Sequence, residues 1–198
     1  MGRKHPTFSW TVIATTESLW SRFHGLPVIG NGGTVVFRGD RRDGVEGIYA
    51  AGGDSIETVA ETGDVFETLA RFPSVDDDGT VAFAATLCAG GAGIFTVTEG
   101  RITRIVDTDG AFEAFRGAFV AGAGALVFIA TPRDGTPGIF AGPDPEADRI
   151  LALGDSLFDS TVTDFAVNPV SVNGDGQVAV RAVLADGRQL ILRADPIE

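Results

Sequence analysis

Three adjacent carboxylates, Asp76, Asp77 and Asp78 in Val75-Asp-Asp-Asp-Gly-Thr-Val-Ala-Phe83, are the residue type that supplies oxygen ligands to a calcium ion. Two arginines each interrupt an apolar run: Arg38 in Val-Val-Phe-Arg-Gly and Arg181 in Val-Ala-Val-Arg-Ala. A guanidinium placed there must find a carboxylate, a wet channel or an anionic ligand, because burying it alone is expensive. Asp40, two residues after Arg38, is the nearest candidate partner. Arg22 and His24, in Trp20-Ser-Arg-Phe-His-Gly25, add a further cation and a side chain able to titrate near neutral pH. Arg38, Arg181, Asp40, Arg22 and His24 are therefore the candidate ligand-binding residues. Asp64 and Asp155 stand in a corner, Thr62-Gly63-Asp64, that recurs as Thr108-Asp109-Gly110 and Leu153-Gly154-Asp155. Such a corner reads as a turn whose side chains accept backbone hydrogen bonds, ahead of a ring of carboxylates for a cation or sugar. Cys88 stands alone, so no internal disulfide forms, and it reads as a small buried apolar residue rather than a nucleophile. Zinc-type Cys/His spacing, a phosphate-binding glycine loop before a helix and a serine elbow are all lacking, so neither metal nor cofactor is expected.

The elements that must position these residues follow from composition. With 27 Gly, 9 Pro and many Val, Ile, Phe and Thr in 198 residues, the chain favours short strands and tight turns. A single all-β domain is expected over 9–198, behind an N-terminal tail at 1–8. The formal net charge of −12 repels phosphate backbones and anionic membrane surfaces, so nucleic acid and membrane are not expected partners. The basic N-terminus, Met-Gly-Arg-Lys-His, leads into an apolar run too short for a signal peptide or a membrane span. The chain as it stands reads as soluble, with its location undetermined.

Self-similarity organises the rest. Val28-Ile-Gly-Asn-Gly-Gly-Thr-Val-Val-Phe37, Val75-Asp-Asp-Asp-Gly-Thr-Val-Ala-Phe83, Val120-Ala-Gly-Ala-Gly-Ala-Leu-Val-Phe128 and Val172-Asn-Gly-Asp-Gly-Gln-Val-Ala-Val180 line up, with anchors Phe37, Phe83, Phe128 and Val180 spaced by 46, 45 and 52 residues. Four residues before each anchor stands a glycine, Gly33, Gly79, Gly124 or Gly176, as a turn with positive φ requires. The positions of the three aspartates hold Gly30-Asn31-Gly32, Ala121-Gly122-Ala123 and Asn173-Gly174-Asp175 in the other copies, so this segment is a hairpin turn and not a calcium loop. Each anchor strand is apolar on both faces, as a strand covered on both sides would be. It is followed by a second short strand (Gly47-Ile-Tyr49, Gly93-Ile-Phe95, Gly138-Ile-Phe140 or Leu190-Ile-Leu192) and a third (55–62, 101–108 and 148–155). With the short apolar segment before each turn, this predicts four antiparallel strands per unit. The units run over approximately 28–72, 73–117, 118–167 and 168–195. Trp20, Phe66, Phe112 and Phe158, with Phe23, Phe115, Phe72, Phe119 and Phe165 near them, read as core between units.

The fourth unit lacks its last strand, while Ser9-Trp-Thr-Val-Ile-Ala-Thr-Thr16 at the other end aligns with that strand. The expectation is a small β-propeller of four units whose N-terminal strand, 9–20, closes the last blade, as a monomer or as a strand-exchanged, eight-bladed homodimer. The pattern Asn-x-x-Gly-x-Val-Ala-Phe-x-Ala, followed by Gly-Ile-Tyr/Phe and a strand ending Thr-Gly-Asp, resembles the bacterial choice-of-anchor tandem-repeat proteins over roughly 9–194. That resemblance implies a propeller-like fold and carries no catalytic residue. The function expected is a non-catalytic binding or scaffold module recognising a small molecule, glycan or protein on an axial face. One alternative is an enzyme with a central-channel site, using Arg38 and Arg181 to hold a small anion and Asp40, Asp64 or Asp155 as base. Another is a purely structural homo-oligomer.

Overall fold

The computed structural model describes residues 8–53 and 55–197, so residues 1–7 of the expected N-terminal tail lie outside the described residues. The chain is all-β, in four antiparallel sheets that follow one another in sequence. The first sheet holds β1 (Trp20–Ile29), β2 (Val35–Arg41), β3 (Glu46–Gly52) and β4 (Ser55–Glu61) in that order. The second holds β5 (Phe66–Leu69), β6 (Ser74–Val75), β7 (Val81–Leu87), β8 (Ala92–Thr98) and β9 (Arg101–Asp107), with β5 and β6 both paired to β7. The third holds β10 (Phe112–Ala121), β11 (Ala125–Pro132), β12 (Gly138–Phe140) and β13 (Arg149–Ala152). The fourth holds β14 (Ser156–Leu157), β15 (Ser160–Ala166), β16 (Val178–Leu184) and β17 (Gln189–Ala194). Each sheet starts ahead of the sequence unit that names it, because the strand leading into the turn is longer than the apolar segment before the turn suggests. Among the described residues no helix is long and apolar enough to cross a membrane.

Three of the four repeated turns share one hydrogen bond, while the third copy, Gly122–Gly124, is a short 3-10 turn closed by Ala125 N–H to Gly122 O. Gly33 N–H donates to Gly30 O at 2.9 Å, Gly79 N–H to Asp76 O at 3.3 Å and Gly176 N–H to Asn173 O at 3.0 Å. The four glycines lie at φ between +74° and +83°, a region that costs an L-residue about 1–2 kcal/mol.

The motif Gly-Ile-aromatic explains how the sheets stack. A Cβ on Gly47 would lie 2.5 Å from the ring of Tyr49, and one on Gly138 3.0 Å from the ring of Phe140, so the glycine makes room for a ring folded back over the strand. Where the ring is replaced by Leu192, the glycine is replaced by Leu190. That ring joins the anchor and the residue opening the sheet in a trio: Trp20–Phe37–Tyr49, Phe66–Phe83–Phe95 and Phe112–Phe128–Phe140. The isoleucine of the motif faces the other way. Val36 and Ile48 pack on the Phe66 trio, and Ala82, Ala84 and Ile94 pack on the Phe112 trio. Val127 and Ile139 pack with Val162 and Val180 of the fourth sheet. Each fully buried isoleucine contributes roughly 1.5–3 kcal/mol. Val162, not Phe158, holds the fourth sheet's place in this series. Phe158 is exposed at φ +48°, because with Asp159 it forms the two-residue turn of the short β14–β15 hairpin.

Both ends of the stack are bare of further sheets. The first trio is covered by Ala14 and Ala51, and Tyr49 donates its hydroxyl to Glu61 Oε1 at 3.1 Å. Burial, and then that bond to a carboxylate, push the Tyr49 hydroxyl up to about 12. The strand expected over 9–20 is not formed up to residue 19: the segment runs irregularly into a turn at 16–19, and β17 has a partner only in β16. The segment lies instead against the aromatic face of the first sheet, which no other sheet covers.

Candidate functional site

The first sheet holds four of the five candidate residues. Antiparallel pairing of β1 with β2 sets His24 opposite Arg38 and Arg22 opposite Asp40. His24 Nε2 lies 2.6 Å from Asp40 Oδ2, so this carboxylate is engaged by the histidine and does not pair with Arg38. Arg38, 8 % exposed, donates from Nη2 to Glu46 Oε2. Strand geometry explains the exchange of partners. Residues 38 and 40 share one face at about 6.6 Å along the strand, whereas Glu46 stands opposite Asp40 on β3 and reaches Arg38 diagonally. Arg38 Nε and Asp40 Oδ1 remain buried without a hydrogen-bond partner. Arg22 is exposed and forms no ion pair among the described residues. Arg181 sits apart in the fourth sheet, where its Nη2 meets Asp164 Oδ2 at 2.8 Å across β15 and β16.

The acidic features serve backbone. Asp76 Oδ1 accepts the N–H groups of Asp78 at 3.1 Å and Thr80 at 2.8 Å, and Asn173 Oδ1 accepts those of Asp175 and Gln177 in the same way. Asp77 reaches the neighbouring unit, accepting from Asn31 Nδ2 at 2.9 Å. In the corners, Thr62 Oγ1 accepts from Glu46 N–H and Thr108 Oγ1 from Ala92 N–H, both at 3.0 Å. Asp155 Oδ2 accepts from Ala152 N–H at 2.7 Å, and Asp64 is exposed. Among the described residues no three His, Cys, Asp or Glu side chains converge as a metal ion would need. Cys88 is exposed and not buried, since it follows β7 into the turn where its N–H donates to Val65 O at 3.0 Å.

A cavity of about 540 Å³ is the second candidate, and it draws on every sheet. Leu26, Phe72, Gly117 and Pro169 all line it, and each stands eleven residues before its anchor. One equivalent position from each sheet thus meets the same space. The wall is mostly aromatic and aliphatic, with Phe119, Ile129, Leu153 and Phe165, and its charged groups are Arg116 and Asp164. Phe119 and Phe165 join the core between the third and fourth sheets and also line this cavity, whereas Phe72, in the loop between β5 and β6, is half exposed at its edge and is not core. Sequence reasoning missed the site because Leu, Phe, Gly and Pro share no chemistry. The signal available was their common offset from the anchors.

Residues 10–190 match the family described as "Family of unknown function (DUF7453)". No curated protein matches the chain. Among solved structures, the chain is similar to one described as "Hypothetical protein from leishmania major", at 13% identity and a TM-score of 0.39. The alignment covers 86% of this chain and 61% of that one, so the chain spans about three fifths of that protein's length.

Proposed function

We propose, from the premise that the chain belongs to the DUF7453 family of unknown function, that it is a non-catalytic binding module: a propeller-like array of four blades with its ligand site on the axis. The observation that carries this reading is the cavity lined by Leu26, Phe72, Gly117 and Pro169, one equivalent position from each sheet. Its volume is that of a small-molecule site, and its lining combines apolar walls with few polar groups, the make-up of a recognition surface. The ligand class is a small molecule or sugar with an apolar face. Arg116 supplies a cation at the wall for an anionic substituent, while the charge of Asp164 is already met by Arg181. The competing enzyme reading, with a small anion held between Arg38 and Arg181, has less support, because Glu46 and Asp164 already neutralise those two cations.

Titration with 1-anilinonaphthalene-8-sulfonate, an apolar anion, tests the proposal by fluorescence. One saturable site per chain is expected, weakened roughly tenfold or more, ~1.4 kcal/mol, by Phe72→Asp. Phe72 is half exposed, so that variant keeps its fold, which circular dichroism checks. Binding that is absent, or equally strong in Phe72→Asp and Leu26→Asp, overturns the reading.

A further inference from the structure

One isoleucine recurs eleven residues after every anchor, as Ile48, Ile94, Ile139 and Ile191. The first three are 0 % exposed and the fourth is 82 % exposed. Its neighbour on the same face follows suit: Val36, Ala82 and Val127 are buried, whereas Ala179 is exposed. What buries the first three is the face of the next sheet, aromatic in the second and third sheets. A face of that kind is present once more, in Trp20, Phe37 and Tyr49, where only short segments and no sheet cover it. The three joints are fully packed, whereas the fourth sheet shares no packed cluster with the first sheet of its own chain.

We infer that the bare face of the fourth sheet is an interaction surface for the first sheet of a second copy of this chain. Two copies joined in this way, each supplying four sheets, close a ring of eight about a twofold axis. The joint would continue the three already present, with Ile191 and Ala179 set on the Trp20–Phe37–Tyr49 trio as Ile48 and Val36 are set on Phe66–Phe83–Phe95.

A second observation selects the same partner. In the first three sheets the second strand after the turn is paired on its far side, by β4, β9 or β13, while β17 has no such neighbour. The segment that resembles those strands, Ser9–Thr16, runs into β1 through a short turn, just as β4 runs into β5. It carries Trp10 at 94 % and Val12 at 78 % exposure. A second copy that seats its first sheet on the fourth therefore brings its own 9–16 segment to the open edge of β17. One partner covers both the bare face and the bare edge, and an open edge left uncovered invites uncontrolled pairing. The inference rests on the blade-like stacking of the sheets and is independent of whether the axial cavity binds a ligand.

Native mass spectrometry and light scattering on the complete chain test this, together with Ile191→Asp and Trp10→Asp, both at exposed positions where the fold of one chain is indifferent to the change. The expected result is a species of twice 20.6 kDa, with dimer dissociation at least roughly tenfold easier in Ile191→Asp and also eased in Trp10→Asp. A wild-type chain that stays monomeric at about 100 μM, weaker than the ~5 kcal/mol such a joint would have to supply, overturns the inference. A dimer that neither substitution weakens overturns it equally, since the two copies would then meet elsewhere.

Discussion

The aromatic trios of the first and second sheets have nearly the same geometry and different surroundings. Ring centroids in Phe66–Phe83–Phe95 lie 5.0–5.8 Å apart, and those in Trp20–Phe37–Tyr49 all lie 5.6 Å apart. The phenylalanines lie beneath Val36 and Ile48 of the sheet before them, whereas the first trio has against it the half-exposed Phe23 of its own sheet with Ala14 and Ala51. Their residue types follow that difference. Three purely hydrocarbon rings serve where a sheet covers them, and Trp20 and Tyr49, each with a polar end, serve where none does. The trio is thus a transferable joint, and at the joint with no sheet behind it the Tyr49 hydroxyl finds Glu61 while Trp20 Nε1 is buried without a partner.

The sharpest way to break this comparison is to empty both joints. Phe83→Ala is expected to cost about 3–5 kcal/mol in chemical denaturation, and Phe37→Ala should fall toward the bottom of that range because fewer neighbours close on it. Equal losses would mean that the first trio is as firmly seated as the second. Next in size is the transfer of the polar end: Phe95→Tyr places a hydroxyl between two sheets, and a cost of about 1–3 kcal/mol is expected if it finds no acceptor such as Glu61 offers Tyr49.

Replacing Gly79, at φ +83° with nothing within 4 Å of an added Cβ, by Ala isolates the backbone term, and about 1–2 kcal/mol should be lost. Tyr49 is the single tyrosine of the chain, so its ionisation is directly visible in the ultraviolet. In the folded protein it should titrate at about 12, against about 10 when unfolded in urea. Because the folded group holds its proton longer, stability is fully present below pH 10 and declines as pH rises from about 10 to about 12. A midpoint near 10 in the folded chain would contradict the buried bond to Glu61. The smallest effect belongs to the bare face: Ile191→Ala should change the stability of the dilute chain by no more than about 0.5 kcal/mol, while Ile94→Ala costs about 2–5 kcal/mol.

What the sequence discloses of this fold is what local backbone rules dictate. Gly33, Gly79, Gly124 and Gly176 announce turns because few other residues accept their φ, and Gly47, Gly93 and Gly138 announce the rings that follow. The length of β1 and β10 stays hidden, since register shifts between His24 and Val28 and between Phe115 and Gly117 interrupt the two-residue alternation by which a strand is recognised. The partner of Arg38 is hidden too, for Asp40 is closer in sequence and Glu46 is closer across the sheet. The cavity lined by Leu26, Phe72, Gly117 and Pro169 leaves no trace in residue type at all, because it is defined by the place of four residues and not by their chemistry.

Every sheet is a meander of consecutive strands, so most of the pairing in the molecule links residues less than one repeat apart. Short loops close at little entropic cost, which favours rapid folding for an all-β chain. Each repeat can organise as soon as its own strands have left the ribosome and then serve as the template on which the next one condenses. Cooperativity in such a chain passes from neighbour to neighbour, and amide exchange should accordingly be slowest in the middle sheets and quicken toward both ends.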